Sequence, residues 1–95
     1  MLSQDTIDQF IIDTLLIDPI TTIIDKLNKS EYRDCDIKWL DEKLYEYMVL
    51  SAKLAGLNVS VSRPLDDKKP TIMNQYAVDY YLRYFSKLLE FFKSF

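Results

Sequence analysis

Histidine is absent from this chain of 95 residues, and glycine and cysteine occur once each. Each shortage removes a class of function. Without imidazole the commonest general base and metal ligand is missing, which excludes most hydrolase and zinc chemistry. A single glycine gives no means of building a glycine-rich loop whose backbone cradles phosphate. The lone Cys35 excludes an internal disulfide framework and fits a reducing compartment. It stands between Asp34 and Asp36, an acidic setting unsuited to a thiolate nucleophile. No uninterrupted apolar run approaches the roughly 20 residues that span a bilayer, and the segment MLSQDTIDQF lacks the basic start of a secretory signal. A cytoplasmic protein, or one built into a particle assembled in the cytoplasm, is expected.

What remains is an apolar, helix-forming chain. Apolar residues make up 48% and charged residues 28%, the balance of a folded domain rather than a disordered one. Residues 1–95 allow one domain with a modest core. No catalytic residue, cofactor site or metal site is expected, and the protein reads as a non-enzyme. Asp5, Asp8 and Asp13, or Asp66 with Asp67, lack the spacing and terminal Glu of a calcium loop.

The net charge of -3 is unevenly placed, with eleven acids and five bases in residues 1–48 against four acids and seven bases in residues 49–95. The halves therefore carry -6 and +3, which favours contact between them within a copy or head to tail between copies. A pI near 4.8 lacks the basic footprint of phosphate contacts, so direct nucleic-acid binding is not expected. Membrane binding is not expected either, since the polar face of the last helix mixes both signs.

Helical periodicity runs through most of the chain. Ser3 opens a first helix to about Ile17, with Ile7, Phe10, Ile11, Leu15 and Ile17 as its main face and Ile12 with Leu16 on the other side. Asp18-Pro19 reads as an N-cap and first helical position, so a second short helix is expected to start there and meet the first at an angle. Its core face is Ile20, Ile23, Ile24 and Leu27. A third helix, capped by Asp34 or Asp36, runs to Ala55 and ends at Gly56. Ile37, Leu40, Leu44, Tyr47, Met48 and Leu54 form its core face, and Trp39 and Leu50 lie opposite. Residues 57–70 read as an extended, charged and mobile connector, whose alternating Leu57, Val59 and Val61 also suit a short edge strand.

The last segment, Thr71 to Phe95, predicts one helix that is apolar around more than half its circumference. A surface helix needs an apolar stripe of only about 100°. The excess predicts a second surface, with Tyr81, Phe85, Leu89 and Phe92 facing outward as partner contacts and Trp39 as a further one. The expected fold is therefore all-α, with three to four helices: two short N-terminal ones packed on two longer ones, and an extended connector between the last two. The expected function is a non-catalytic interaction or assembly protein, an adaptor or structural subunit that oligomerises or docks through its C-terminal aromatic helix. An acidic inhibitor that covers a functional site of a nucleic-acid-binding or other protein is the alternative, suggested by five acids and no base in residues 1–25. No family motif matches residue by residue. In size and helix order the chain loosely resembles the small helical adaptors that bacteriophages place between head and tail, and that likeness implies a ring of copies in a virion.

Overall fold

Residues 10–56 and 69–94 are described by the structure, a computed structural model of the chain. Their regular structure is entirely helical and forms three helices. The first, α1, covers residues 10–28, with a π-helical turn at Asp13–Ile17 running directly into the α-helical part Asp18–Asn28. The second, α2, is Ile37–Leu54, entered through a 3-10 turn at Asp34–Asp36. The third, α3, is Gln75–Lys93.

The expected break at Asp18-Pro19 does not occur. Proline inside an α-helix removes one ladder bond and pushes its ring against the carbonyl four residues back. Here the ladder has already shifted, because the Asp18 N–H donates to the carbonyl of Asp13, five residues back. Such a widened turn absorbs one residue more than the α repeat allows. The hydroxyls of Thr21 and Thr22 donate to the carbonyls of Ile17 and Asp18 at 2.7 and 3.0 Å, which covers backbone oxygens around the proline. The chain therefore passes Pro19 as one helix, and the two short helices expected there are a single one.

Continuity decides which side of α1 is buried. Ile12, Leu16, Ile20, Ile23 and Leu27 are all buried, at spacings of three and four that trace one stripe. Phe10, Ile11 and Leu15, expected as the main core face, are exposed. The expected faces of the N-terminal segment are thus exchanged, because a stripe must join the buried Ile20 and Ile23 beyond the proline.

The end of α1 is closed by a left-handed residue, Ser30 at φ 56°. Its N–H donates to Leu27 O at 3.2 Å and the Glu31 N–H to Lys26 O at 3.0 Å, a Schellman arrangement. Next, the Asp36 carboxylate accepts the Arg33 N–H at 2.8 Å and sets the entry to α2. The helix α2 ends at Gly56, whose φ of +76° favours a residue without a side chain.

The axis of the molecule is α3. It packs against both α1 and α2, which touch each other less than either touches α3. Leu27 at the end of α1 lies beside Met73 and Val78 at the start of α3, so these two helices run antiparallel. Asp34 just before α2 bonds Met73 just before α3, and Leu44, Met48 and Ser51 share one groove with Tyr84, Leu88 and Phe91, so α2 and α3 run parallel. At the shared starting end of that pair, the Asp34 carboxylate accepts the Met73 N–H at 2.6 Å and Lys69 pairs with Asp41 at 2.7 Å. Asn74 then caps α3, accepting the Ala77 N–H at 2.9 Å. This places the start at Gln75 rather than Thr71, because Asp34 holds Met73 outside the helix.

Two neighbours use up the broad apolar arc of α3. Ala77, Tyr81, Phe85 and Phe92 have no exposed surface, and Tyr80 and Leu88 are buried. Ring contacts join Tyr80 to Tyr81 and Tyr84 at centroid distances of 5.1 and 4.8 Å, and Phe91 to Phe92 at 5.5 Å. Phe85→Ala is therefore expected to cost about 3–5 kcal/mol, comparable with the whole stability of a small domain. Circular dichroism during urea titration would read this, and wild-type stability in that variant would place Phe85 on the surface.

Candidate functional site

Three of the expected partner contacts are core residues. Tyr81, Phe85 and Phe92 are fully buried and face α1 and α2, so their expected outward placement is corrected. Leu89 is half-buried against the same core. Most of the apolar arc is used because α3 is central and packs on both α1 and α2.

Trp39 stands on the outer side of α2, 43% exposed. Its own chain shields part of it: the Tyr32 ring lies 6.1 Å away and Lys43 Nζ sits 5.9 Å from the Trp39 ring centre. Leu50 and Leu54 continue this side towards the end of α2, so Leu54 leaves its expected core face. The expected edge strand around Leu57 to Val61 lies outside the described residues.

The two most exposed large apolar side chains are on α1, ahead of Ile72 and Tyr76 before and at the start of α3. Phe10 is 68% exposed, Leu15 61% and Ile11 44%, and Ile11 and Leu15 are one turn apart on the side away from Ile12 and Leu16. An apolar helix side of this kind is the usual mark of a contact surface. Asp13 and Asp18 flank it, and α1 has no base before Lys26. The signal was present in the sequence as a helix with two apolar sides.

Two concave features complete the surface. A groove of about 300 Å³ runs between α2 and α3, lined by Leu44, Met48, Ser51, Tyr84, Lys87, Leu88 and Phe91. At the other end a larger, open cleft of about 610 Å³ is bordered by Asp34, Cys35, Asp41, Glu42 and Lys69 among others. The Asp41–Lys69 pair crosses this cleft's border and ties α2 to the approach to α3. Among the described residues no group of three or more Cys, Asp or Glu side chains is placed to hold a metal ion. Cys35 is exposed.

One buried polar atom stands apart. Among the described residues the Tyr81 hydroxyl has no hydrogen-bond partner. Burial pushes its pKa far above the ordinary 10.0, and the nearby Asp41 carboxylate and Tyr80 add to the shift. Burial also raises Tyr32 and Tyr47, less strongly.

Among the described residues these features define an all-helical arrangement of three helices with an apolar outer face on the first. Compared with known proteins, the chain matches no protein-family model, no curated protein and no solved structure. No helix among the described residues is long and apolar enough to cross a membrane.

Removing the orphan hydroxyl tests the burial of α3 directly. Tyr81→Phe is expected to leave stability at pH 7 within about 1 kcal/mol of wild type or to raise it. The pH dependence has a definite sign. The folded chain holds this proton more tightly than the unfolded one, so the contribution is constant below pH 10.0 and falls as pH rises above it. Urea denaturation near pH 7 and near pH 11 should show wild type losing more stability than Tyr81→Phe, with Tyr32 and Tyr47 common to both. An equal loss in the two proteins would contradict the buried hydroxyl.

Proposed function

We propose that this is a non-catalytic interaction and assembly protein, a small helical adaptor or structural subunit that oligomerises or docks on a larger assembly. The contact surface in this reading is the outer face of α1. The exposure of Phe10, Ile11 and Leu15 on one helix side carries it, because water contact with three large apolar groups is a cost that a partner removes. Covering them contributes on the order of 3–5 kcal/mol before association costs are subtracted. That is too little for a tight complex by itself, so further surface must join the contact.

The flanking charges suit the same role. Asp13 and Asp18 keep the face soluble when free and favour a partner surface with positive charge. Trp39, partly shielded by Tyr32 and Lys43, is a secondary candidate on another helix.

Phe10→Ser/Leu15→Ser should abolish association while leaving the helical spectrum and melting temperature nearly unchanged, since neither side chain belongs to the buried stripe. Light scattering coupled to size exclusion reads self-association, and co-elution reads docking on another protein. Retention of wild-type association by the folded double variant would remove α1 from the interface and with it this reading.

A further inference from the structure

The groove between α2 and α3 and the outer face of α1 are complementary in both polarity and charge. The groove is walled by Leu44, Met48, Leu88 and Phe91, and its one charged lining residue is the exposed Lys87. Lys87 forms no ion pair with any other described residue. On α1, Asp18 lies three residues beyond Leu15, on the same side and exposed, and it too has no ion pair among the described residues.

We propose that the occupant of the α2/α3 groove is the outer face of α1 from a second copy of this chain. Leu15 and its neighbours Phe10 and Ile11 enter the groove, and Asp18 meets Lys87. The proposal rests on the reading of α1 as a contact surface and names what it contacts.

Charge selects this pairing over the simpler one. If α1 paired with α1 of another copy, Asp18 would face an acidic surface, with no base on either helix between residue 10 and Lys26. Like charges placed opposite one another in a contact are unfavourable and exclude that arrangement. The groove side carries the opposite sign, since its one charged lining residue is Lys87. Size agrees as well. A groove of about 300 Å³ is at the small end of sites that enclose a ligand, suited to a few large side chains rather than to a whole helix.

The contact joins two different surfaces of the same molecule, so it is heterologous. Each copy offers one α1 face and one groove, and copies add head to tail until a ring closes or a filament grows. A reciprocal pair, with each α1 in the other copy's groove, is the smallest closed form of the same contact.

Complementation between two variants tests this with full-length protein. Phe10→Ser/Leu15→Ser removes the α1 face and keeps the groove; Ser51→Glu/Lys87→Glu makes the groove acidic and keeps α1. Circular dichroism establishes that both are folded. Light scattering should find wild type oligomeric, each variant monomeric alone, and an equimolar mixture forming a one-to-one dimer that grows no further. A mixture that stays monomeric, a groove variant that associates like wild type, or a wild type monomeric at all concentrations would each overturn the head-to-tail contact. In the second case the α1 reading survives if the α1 variant alone is monomeric; it falls only if that variant also associates like wild type. Should Ser51→Glu disturb folding, charge exchange decides the matter. Lys87→Glu alone should weaken association about five- to tenfold, and Asp18→Lys combined with it should restore most of that. No restoration overturns the Asp18–Lys87 contact and the docking geometry built on it.

Discussion

The fold depends on α3 being covered from two sides. A chain of 95 residues has little apolar surface to bury, and its largest fully buried groups, Tyr81, Phe85 and Phe92, all sit on this one helix. Each needs neighbours around most of its ring, which one adjacent helix cannot supply. The antiparallel α1 and the parallel α2 provide them together. A parallel neighbour requires the chain to return along the length of α2, about 27 Å for 18 residues, before α3 can begin. Asp34 and Asp41 fix that return by holding Met73 and Lys69 at the start of α3.

Placing α3 at the centre moves the outward apolar surface to α1. The first helix is shared between two environments: Ile12 and Leu16 contribute to the core, and Phe10, Ile11 and Leu15 contact water. Asp18 is exposed on its outer side, whereas Lys87 of α3 lines the groove shared with α2. Asp18 on the outer side of α1 and Lys87 at the groove thus carry opposite charges on two separate surfaces.

Much of this organisation was legible in the chain. The helical class, the termination at Gly56, the core face of Ile37, Leu40, Leu44 and Tyr47, and the outward position of Trp39 all follow from periodicity and capping chemistry. Two features were not. At Pro19 the local rule for proline predicts a helix start, but a π turn is a tertiary solution that becomes favourable only when Ile12 and Leu16 must align with Ile20 to pack against α3. For α3 itself, the breadth of an apolar arc reports how many neighbours a helix has. It does not report whether they belong to the same chain, and here both do. The start of α3 was shifted for a similar reason, since the bond between Asp34 and Met73 spans 39 positions and no local pattern announces it.

Hydroxyl-radical footprinting over a dilution series, read residue by residue by mass spectrometry, is the most direct test of this division between inner and outer aromatic groups. The account predicts that Phe10 and Leu15 are oxidised in the dilute protein and become protected as it associates, while Phe85 and Phe92 stay protected at every concentration at which the chain is folded. Oxidation of Phe85 or Phe92 that rises on dilution of the folded protein would contradict it, because those rings would then be covered by a partner and not by α1 and α2.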